Sequence, residues 1–161
     1  TEGTIFSGAK IYCPTGRVVS DAAQLSRFRQ GGQPVAADIA LTVELSPPRV
    51  ECDYDSDERL GDGEVTVPIT LRQGPAKTLT QDEFTYFVAV VDFNNVVQSR
   101  KDYRVNLALD GQQAAVFNEQ VDDISVSVAE GRMLADYRVV VGLQLSPAEM
   151  SYNQATRSRI P

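Results

Sequence analysis

The chain has 161 residues, of which 42% are hydrophobic and 23% are charged, and its formal net charge is −7. This length fits one globular domain with a buried core. The negative charge argues against a nucleic-acid partner, because binding phosphates usually requires a basic surface. The chain contains no histidine, which excludes histidine metal sites and catalytic pairs of serine or cysteine with histidine.

The sequence predicts an N-terminal extension at residues 1–12, a β domain at residues 13–154 and an exposed tail at residues 155–161. The extension is expected to end in a short strand near Ile11. Since the chain begins at Thr1 rather than at methionine, we expect either natural processing, which fits export, or a trimmed sequence. No apolar run is long enough to cross a bilayer.

The segment from Asp21 to Phe28 predicts one or two turns of helix. Asp21 or Ser20 would be its N-cap residue, and Leu25 and Phe28 would fall on the same side of a helix. Gly31 and Gly32 would end it.

The rest of the chain alternates between apolar and polar residues, which is typical of strands with one buried and one exposed face. The segment from Phe84 to Val91 is the most hydrophobic and is placed at the centre of a sheet. Pro68 cannot donate to a β-ladder, so its strand is predicted to lie at an edge or to contain a bulge. Strands are predicted near residues 35–46, 64–72, 84–91, 96–109, 113–118, 120–129 and 136–145.

About seven short strands, separated by turn residues such as those at 110–111, predict an all-β fold. The expected architecture is an immunoglobulin-like antiparallel β-sandwich. Tyr137, near the start of the last strand, is typical of the tyrosine corner of such sandwiches. Ser146, Pro147 and Glu149 have the spacing of a capping box and predict a short C-terminal helix that ends near Gln154.

The two cysteines, Cys13 and Cys52, each stand next to turn residues. An even pair of this kind predicts one disulfide and an oxidising compartment. The alternative is two unpaired cysteines that are buried as small hydrophobic residues. A zinc site is not expected, because two thiols without histidine leave the tetrahedral ligand set incomplete.

The acidic segment that follows the second cysteine has the spacing of metal ligands. Asp53, Asp55, Asp57 and Glu64 occupy relative positions 1, 3, 5 and 12, as in the calcium loop of an EF-hand. The position of the turn glycine is occupied by glutamate, and the flanking segments are predicted strands rather than helices. A calcium site therefore stands beside the alternative of a solvent-exposed acidic turn.

The carboxylates, lysines and tyrosines show no catalytic arrangement. Asp122 and Asp123 are adjacent and would point to opposite faces of a strand, so they cannot flank one substrate bond. Tyr86 and Phe87 also lie on opposite faces; one is predicted in the core, and the other beneath the C-terminal helix or on a binding surface. We predict a protein that is not an enzyme and has no cofactor; calcium at the acidic segment is the alternative.

Four segments carry a resemblance to a known group of proteins. They are Cys13-Pro14 with Val18–Phe28, Cys52–Asp55, Tyr86–Val90 and Asp136–Pro147. Together they resemble a group of small alphaproteobacterial envelope lipoproteins. The resemblance implies export, a lipid anchor on a cysteine upstream of Thr1 and a periplasmic β domain, and it implies no activity.

The leading hypothesis is a non-enzymatic periplasmic protein that acts as a structural or accessory subunit of a larger, membrane-associated assembly. A protein partner is expected, and contact with the membrane is expected only through the lipid anchor. The second hypothesis is a ligand-binding β-sandwich that depends on calcium through residues 53–64. The third is an enzyme built on carboxylates, which a pocket with two close carboxyl groups would favour.

Overall fold

Two facing β-sheets, of five and four strands, form the body of the computed structural model, which describes residues 2–6, 9–76, 81–109 and 113–158. A short hairpin precedes the sheets and one helix follows them. In chain order the elements are β1 (Glu2–Phe6), β2 (Ala9–Tyr12), β3 (Thr15–Val18), β4 (Gln24–Phe28), β5 (Ile39–Leu45), β6 (Arg49–Asp55), β7 (Leu60–Gln73), β8 (Gln81–Val91), β9 (Val97–Ala108), β10 (Ala114–Ser127), β11 (Arg138–Leu143) and α1 (Pro147–Ser158).

The first sheet has the strand order β10-β7-β5-β4, with β6 also paired to β7, and the second has the order β3-β11-β8-β9. The pairs within the sheets are antiparallel, except that β3 runs parallel to β11. The inward-facing residues of both sheets form one hydrophobic core. Its most deeply buried members include Val43, Val67 and Ile69 on the first sheet and Tyr86, Val90 and Val141 on the second.

The predicted all-β sandwich with a short C-terminal helix and one disulfide is confirmed. In the described residues the two sheets contain nine strands. Three of them, β3, β4 and β6, are absent from the prediction, and the strands predicted over residues 113–118 and 120–129 are one strand, β10. Glu119, at the predicted break, continues the register opposite Val67 of β7.

The helical turns predicted from Asp21 to Phe28 are wrong. One 3-10 turn at Ser20–Ala22 is followed, after Ala23, by strand β4. Leu25 enters the core, and pairing with β5 supplies the backbone hydrogen bonds that a helix would have formed. Tertiary pairing therefore overrides a spacing of apolar residues that fits a helix equally well.

The N-terminal extension contains a hairpin, because β1 and β2 pair antiparallel. β2 confirms the strand predicted near Ile11. Residues 1, 7 and 8 of the predicted extension, and the turn predicted at residues 110–111, lie outside the described residues.

The predicted capping box is present at the start of α1. Ser146 Oγ accepts a hydrogen bond from Glu149 N at 3.1 Å, and Glu149 Oε1 accepts one from Ser146 N at 2.8 Å. The helix continues past Gln154 to Ser158, so the first part of the predicted tail is helical. Residues 159–161 lie outside the described residues.

Pro68 lies in an inner strand, neither at an edge nor at a bulge. β7 pairs with β6 as far as Thr66 and with β5 from Ile69 onward. The carbonyl of Pro68 accepts a hydrogen bond from Ser46 N at 3.0 Å, on the side of β5 and β6. Since the N–H and C=O of one residue point to the same neighbour in an antiparallel ladder, the missing N–H faces the gap between these two strands. No ladder hydrogen bond is lost there.

The disulfide joins Cys13 and Cys52, whose Cα atoms are 5.6 Å apart. Cys13 lies just before β3 of the second sheet and Cys52 lies on β6 of the first, and both are buried. The bond therefore connects the two sheets on the side away from β9 and β10. Near this end of the sandwich, the hydroxyl oxygen of Tyr137 accepts a hydrogen bond from Ala129 N at 2.9 Å, which is the contact expected of a tyrosine corner.

The helix and one arginine cover the outer edge of β4. Phe28 of β4 contacts Tyr152 of α1 edge to face, with ring centroids 5.1 Å apart. Arg27 Nη1 donates to Asp82 Oδ1 on β8 at 2.8 Å, and Arg27 Nε lies 3.4 Å from Glu149 Oε2 on α1. One side chain thus connects the first sheet, the second sheet and the helix.

Removing the disulfide is expected to lower the free energy of unfolding by about 4 kcal/mol, because the bond closes a long loop in the unfolded chain. The bonded cysteines are 39 residues apart in sequence. Urea denaturation of the double variant C13A/C52A measures the effect, with reduced wild-type protein as the control. Unchanged unfolding midpoints in both samples would contradict this expectation.

Candidate functional site

The structure places the predicted calcium ligands on a β-hairpin rather than in a loop. Asp53 and Asp55 lie on β6, Glu64 lies on β7, and Asp57 lies in the turn between these strands. Asp55 Oδ1 accepts hydrogen bonds from the backbone N–H groups of Asp57 and Glu58, at 3.0 and 3.2 Å. This carboxylate therefore closes the turn.

The four carboxylates do not converge on one point. The described part of the chain contains no group of three or more aspartate, glutamate or cysteine side chains that could hold a metal ion. The predicted calcium loop is not formed, because strand pairing extends almost to the turn.

The hairpin instead presents an acidic face, formed by Glu51, Asp53, Asp55, Asp62 and Glu64, all of them exposed. Glu51 is directly opposite Glu64, and Asp53 is directly opposite Asp62. Directly opposed residues share one face of a sheet, and like charges in these positions destabilise it.

Replacing Asp62 with asparagine is expected to raise the melting temperature by about 1–2 °C at low ionic strength, because it removes one of these repulsions. The gain should shrink in high salt, which screens exposed charges. Differential scanning calorimetry measures both effects. Asp57→Asn, in the turn, changes the net charge equally, and an equal gain in that variant would contradict the cross-strand explanation.

A cleft opens between the two sheets where β9 and β10 lie side by side. Its volume is about 330 Å³. Its polar lining comes from Gln73, Asn106, Gln113 and Glu119. Most of its walls are apolar and come from Leu41, Leu71, Val105, Leu107, Leu109, Ala114, Ala115 and Phe117.

The cleft lies between two strand edges. β9 is the last strand of the second sheet, and β10 is the last strand of the first. In the described part of the chain, no further strand pairs with the outer edge of β9 or of β10. A concave, mainly apolar site with a few polar groups is the form that binding sites usually take.

A polar cluster joins the two sheets at one end of the cleft. Tyr103 O–H donates to Asp123 Oδ1 at 3.0 Å, and Lys101 Nζ donates to Asp123 Oδ2 at 2.7 Å. Tyr86 O–H donates to Glu119 Oε1 at 3.1 Å, and the rings of Tyr86 and Tyr103 stack with centroids 5.3 Å apart. The sheets are held together here, and the cleft begins where this cluster ends.

Asp122 and Asp123 lie at an irregularity of β10, between Val121 and Ile124. Strict alternation of side chains does not apply at such a point. Asp122 Oδ1 accepts a hydrogen bond from Gln120 Nε2 at 3.0 Å, whereas Asp123 bonds to β9. The two carboxylates have different partners.

Tyr86 and Phe87 occupy opposite faces of β8, as alternation predicts. Tyr86 is 1% exposed and belongs to the core, which confirms that part of the prediction. Phe87 is on the outer face, where the guanidinium carbon of Arg100 lies 4.2 Å from its ring centroid. The side chain that stacks on Phe87 therefore comes from β9.

The polar cluster shifts the acidity of its own members. Burial, the hydrogen bond to Asp123 and the charge of Asp123 raise the pKa of Tyr103 to about 12. Burial and the nearby charge of Glu119 also raise the pKa of Tyr86. Hydrogen bonds from Lys101 and Tyr103 lower the pKa of Asp123. Both tyrosines therefore stay protonated, and able to donate, well above neutral pH.

The raised pKa of Tyr103 predicts a loss of stability at alkaline pH. Its pKa rises on folding from 10.0 to about 12, so its contribution is complete below about pH 10 and is lost as the pH rises towards 12. Asp123→Ala removes the hydrogen bond and the charge and should lower the pKa of Tyr103. Ultraviolet titration of tyrosinate, with Tyr103→Phe to assign the signal, measures this. An unchanged titration in Asp123→Ala would contradict the assigned cause.

No protein-family model matches the chain, and no curated protein matches it. Among solved structures, the chain aligns with the variable (V) domain of the Streptococcus agalactiae AgI/II polypeptide BspA. The identity is 10% over 89% of this chain and 84% of that chain, with a TM-score of 0.19. A TM-score this low carries no argument about fold or function. In the described residues, no helix has the length and apolar character needed to cross a membrane.

The cleft is absent from the sequence-based predictions. Leu107 and Phe117 stand at alternate positions of predicted strands, as ordinary core residues do, so their sequence pattern does not mark a cleft. One signal was available. Glu119 stands at an inward-facing position of β10, in phase with Phe117 and Val121. A charged residue in that phase indicates either a break in the strand or a place where the sandwich is open.

Proposed function

We propose that this chain is a non-enzymatic binding module that holds an extended segment of a partner protein at the cleft between β9 and β10. In this role it serves as an accessory or structural subunit of a larger assembly in the bacterial envelope. One observation carries the proposal: an apolar cleft lies between two strand edges that have no partner strand in the described part of the chain.

An extended segment suits this geometry because it can pair with a free strand edge and also place side chains in the apolar cleft. A strand added to a free edge gains main-chain hydrogen bonds, and its alternate side chains can enter pockets beside that edge. The cleft volume of about 330 Å³ is at the lower end of the range for ligand sites, about 300–1,000 Å³. It therefore suits inserted side chains better than a large cofactor.

The charges along β9 favour pairing at the cleft over pairing elsewhere on the strand. Arg100, Asp102 and Arg104 are exposed on the part of β9 outside the cleft. Charged side chains on an edge strand discourage indiscriminate pairing. The part of β9 that borders the cleft, from Val105 to Ala108, contains no charged residue.

The buried Cys13–Cys52 disulfide supports the proposed location. Disulfides persist in oxidising compartments such as the bacterial periplasm and are rare in the cytosol. In this proposal, membrane contact is made through a lipid anchor upstream of Thr1. Calcium has no part in it, because the described carboxylates do not converge.

Photocrosslinking at the rim of the cleft tests the proposal. p-Benzoylphenylalanine placed at Ala108 or Ala114, in cells that naturally produce the chain, should crosslink to one protein partner through a defined segment. The same group at Glu51, on the acidic face, should not. Filling the cleft with Ala115→Phe should reduce the crosslink at least about tenfold, since the inserted side chain would lose its space.

Val116→Phe is the matched control, because Val116 is the next residue and is 74% exposed on the outer face. It should leave the crosslink intact. Ala115→Leu, which adds less volume, replaces Ala115→Phe if the larger change lowers the melting temperature. Crosslinks that survive cleft filling, or that arise equally from Glu51, would show that the partner docks elsewhere.

A further inference from the structure

We infer that the segment held in the cleft presents a lysine or arginine side chain to Glu119. The inference rests on the proposed function and names the chemistry of the occupant. A basic side chain combines an aliphatic stem, which suits the apolar walls, with a cationic end that suits the carboxylate.

Glu119 is the one charged residue among the described residues that line the cleft. It is directly opposite Val67, a fully buried residue of β7, which shows that it faces inward. Its Oε1 accepts a hydrogen bond from the hydroxyl of Tyr86 at 3.1 Å, and that bond holds the carboxylate in place.

Glu119 forms no ion pair with any residue in the described part of the chain. Lys101, on the facing strand β9, donates to Asp123 instead, to Oδ2 at 2.7 Å and to the backbone oxygen at 3.1 Å. Among the described residues, this carboxylate at the inner side of the cleft therefore has a hydroxyl donor and no paired cation.

This arrangement selects among occupants. An apolar segment that filled the cleft would remove water from the carboxylate and leave its charge uncompensated, which is costly. An acidic side chain would add repulsion. A lysine or arginine would place its stem against Leu107 and Phe117 and form a charge-assisted hydrogen bond with Glu119, which is stronger than a neutral one.

Three blocked peptides serve as probes, each with the sequence Thr-Val-Thr-X-Thr-Val-Thr. X is lysine, its uncharged near-isostere norleucine, or glutamate. Binding is followed by NMR on ¹⁵N-labelled protein, through the amide signals of Val105–Ala108 and Ala114–Gln120. We expect the lysine peptide to bind at the cleft at least about tenfold more tightly than the norleucine peptide, and the glutamate peptide to bind more weakly than either.

Glu119→Gln tests the assigned residue, because the amide keeps an oxygen that can accept from Tyr86 while the charge is lost. In this variant the lysine and norleucine peptides should bind with about equal affinity. Glu51→Gln, which changes the net charge equally on the acidic face, should preserve it. Cleft binding of the lysine and norleucine peptides with equal affinity would overturn the inference and leave the proposed function standing. If no peptide shifts the cleft signals, the inference also fails, and the crosslinking result alone decides the proposed function.

Discussion

The two sides of the sandwich, along which the edges of the two sheets face each other, are closed in different ways, and the candidate site depends on that difference. On one side, the Cys13–Cys52 bond, the connection from β3 to β4, Arg27 and helix α1 hold the sheets together. On the other side, β9 and β10 are joined by side chains around Asp123 over part of their length. Where those contacts end, the sheets remain apart and the core is reached through the cleft.

Alternation of apolar and polar residues was enough to predict the fold class and most strands, because each strand buries one face against a shared core. It was not enough where a segment fits two structures. Leu25 and Phe28 have a spacing that suits a helix, but the neighbouring strand β5 makes the segment extended. That pairing partner lies in a separate segment of the sequence, so the local pattern does not reveal it.

The site was less predictable than the fold for a related reason. The spacing of Asp53, Asp55 and Glu64 suggests a loop that wraps an ion, but the same spacing places side chains on one face of a hairpin. Which outcome occurs depends on whether the flanks pair with each other. In the cleft, Glu119 carried the useful information, because its polarity conflicts with its phase on β10. Such conflicts between local pattern and position tend to mark functional or strained sites.

The parallel pair of β3 and β11 has a consequence for biosynthesis. It places Thr15 beside Arg138, so the second sheet joins the first and the last strands of the sandwich. A chain emerging from the ribosome, or crossing a membrane in extended form, cannot complete that sheet until β11 has appeared. Contacts between such distant segments slow folding, typically to milliseconds or longer in β-proteins. Until then the edges of β8 and β3 are unpaired and can associate with other chains. This incompletely folded state is the one that a chaperone would bind.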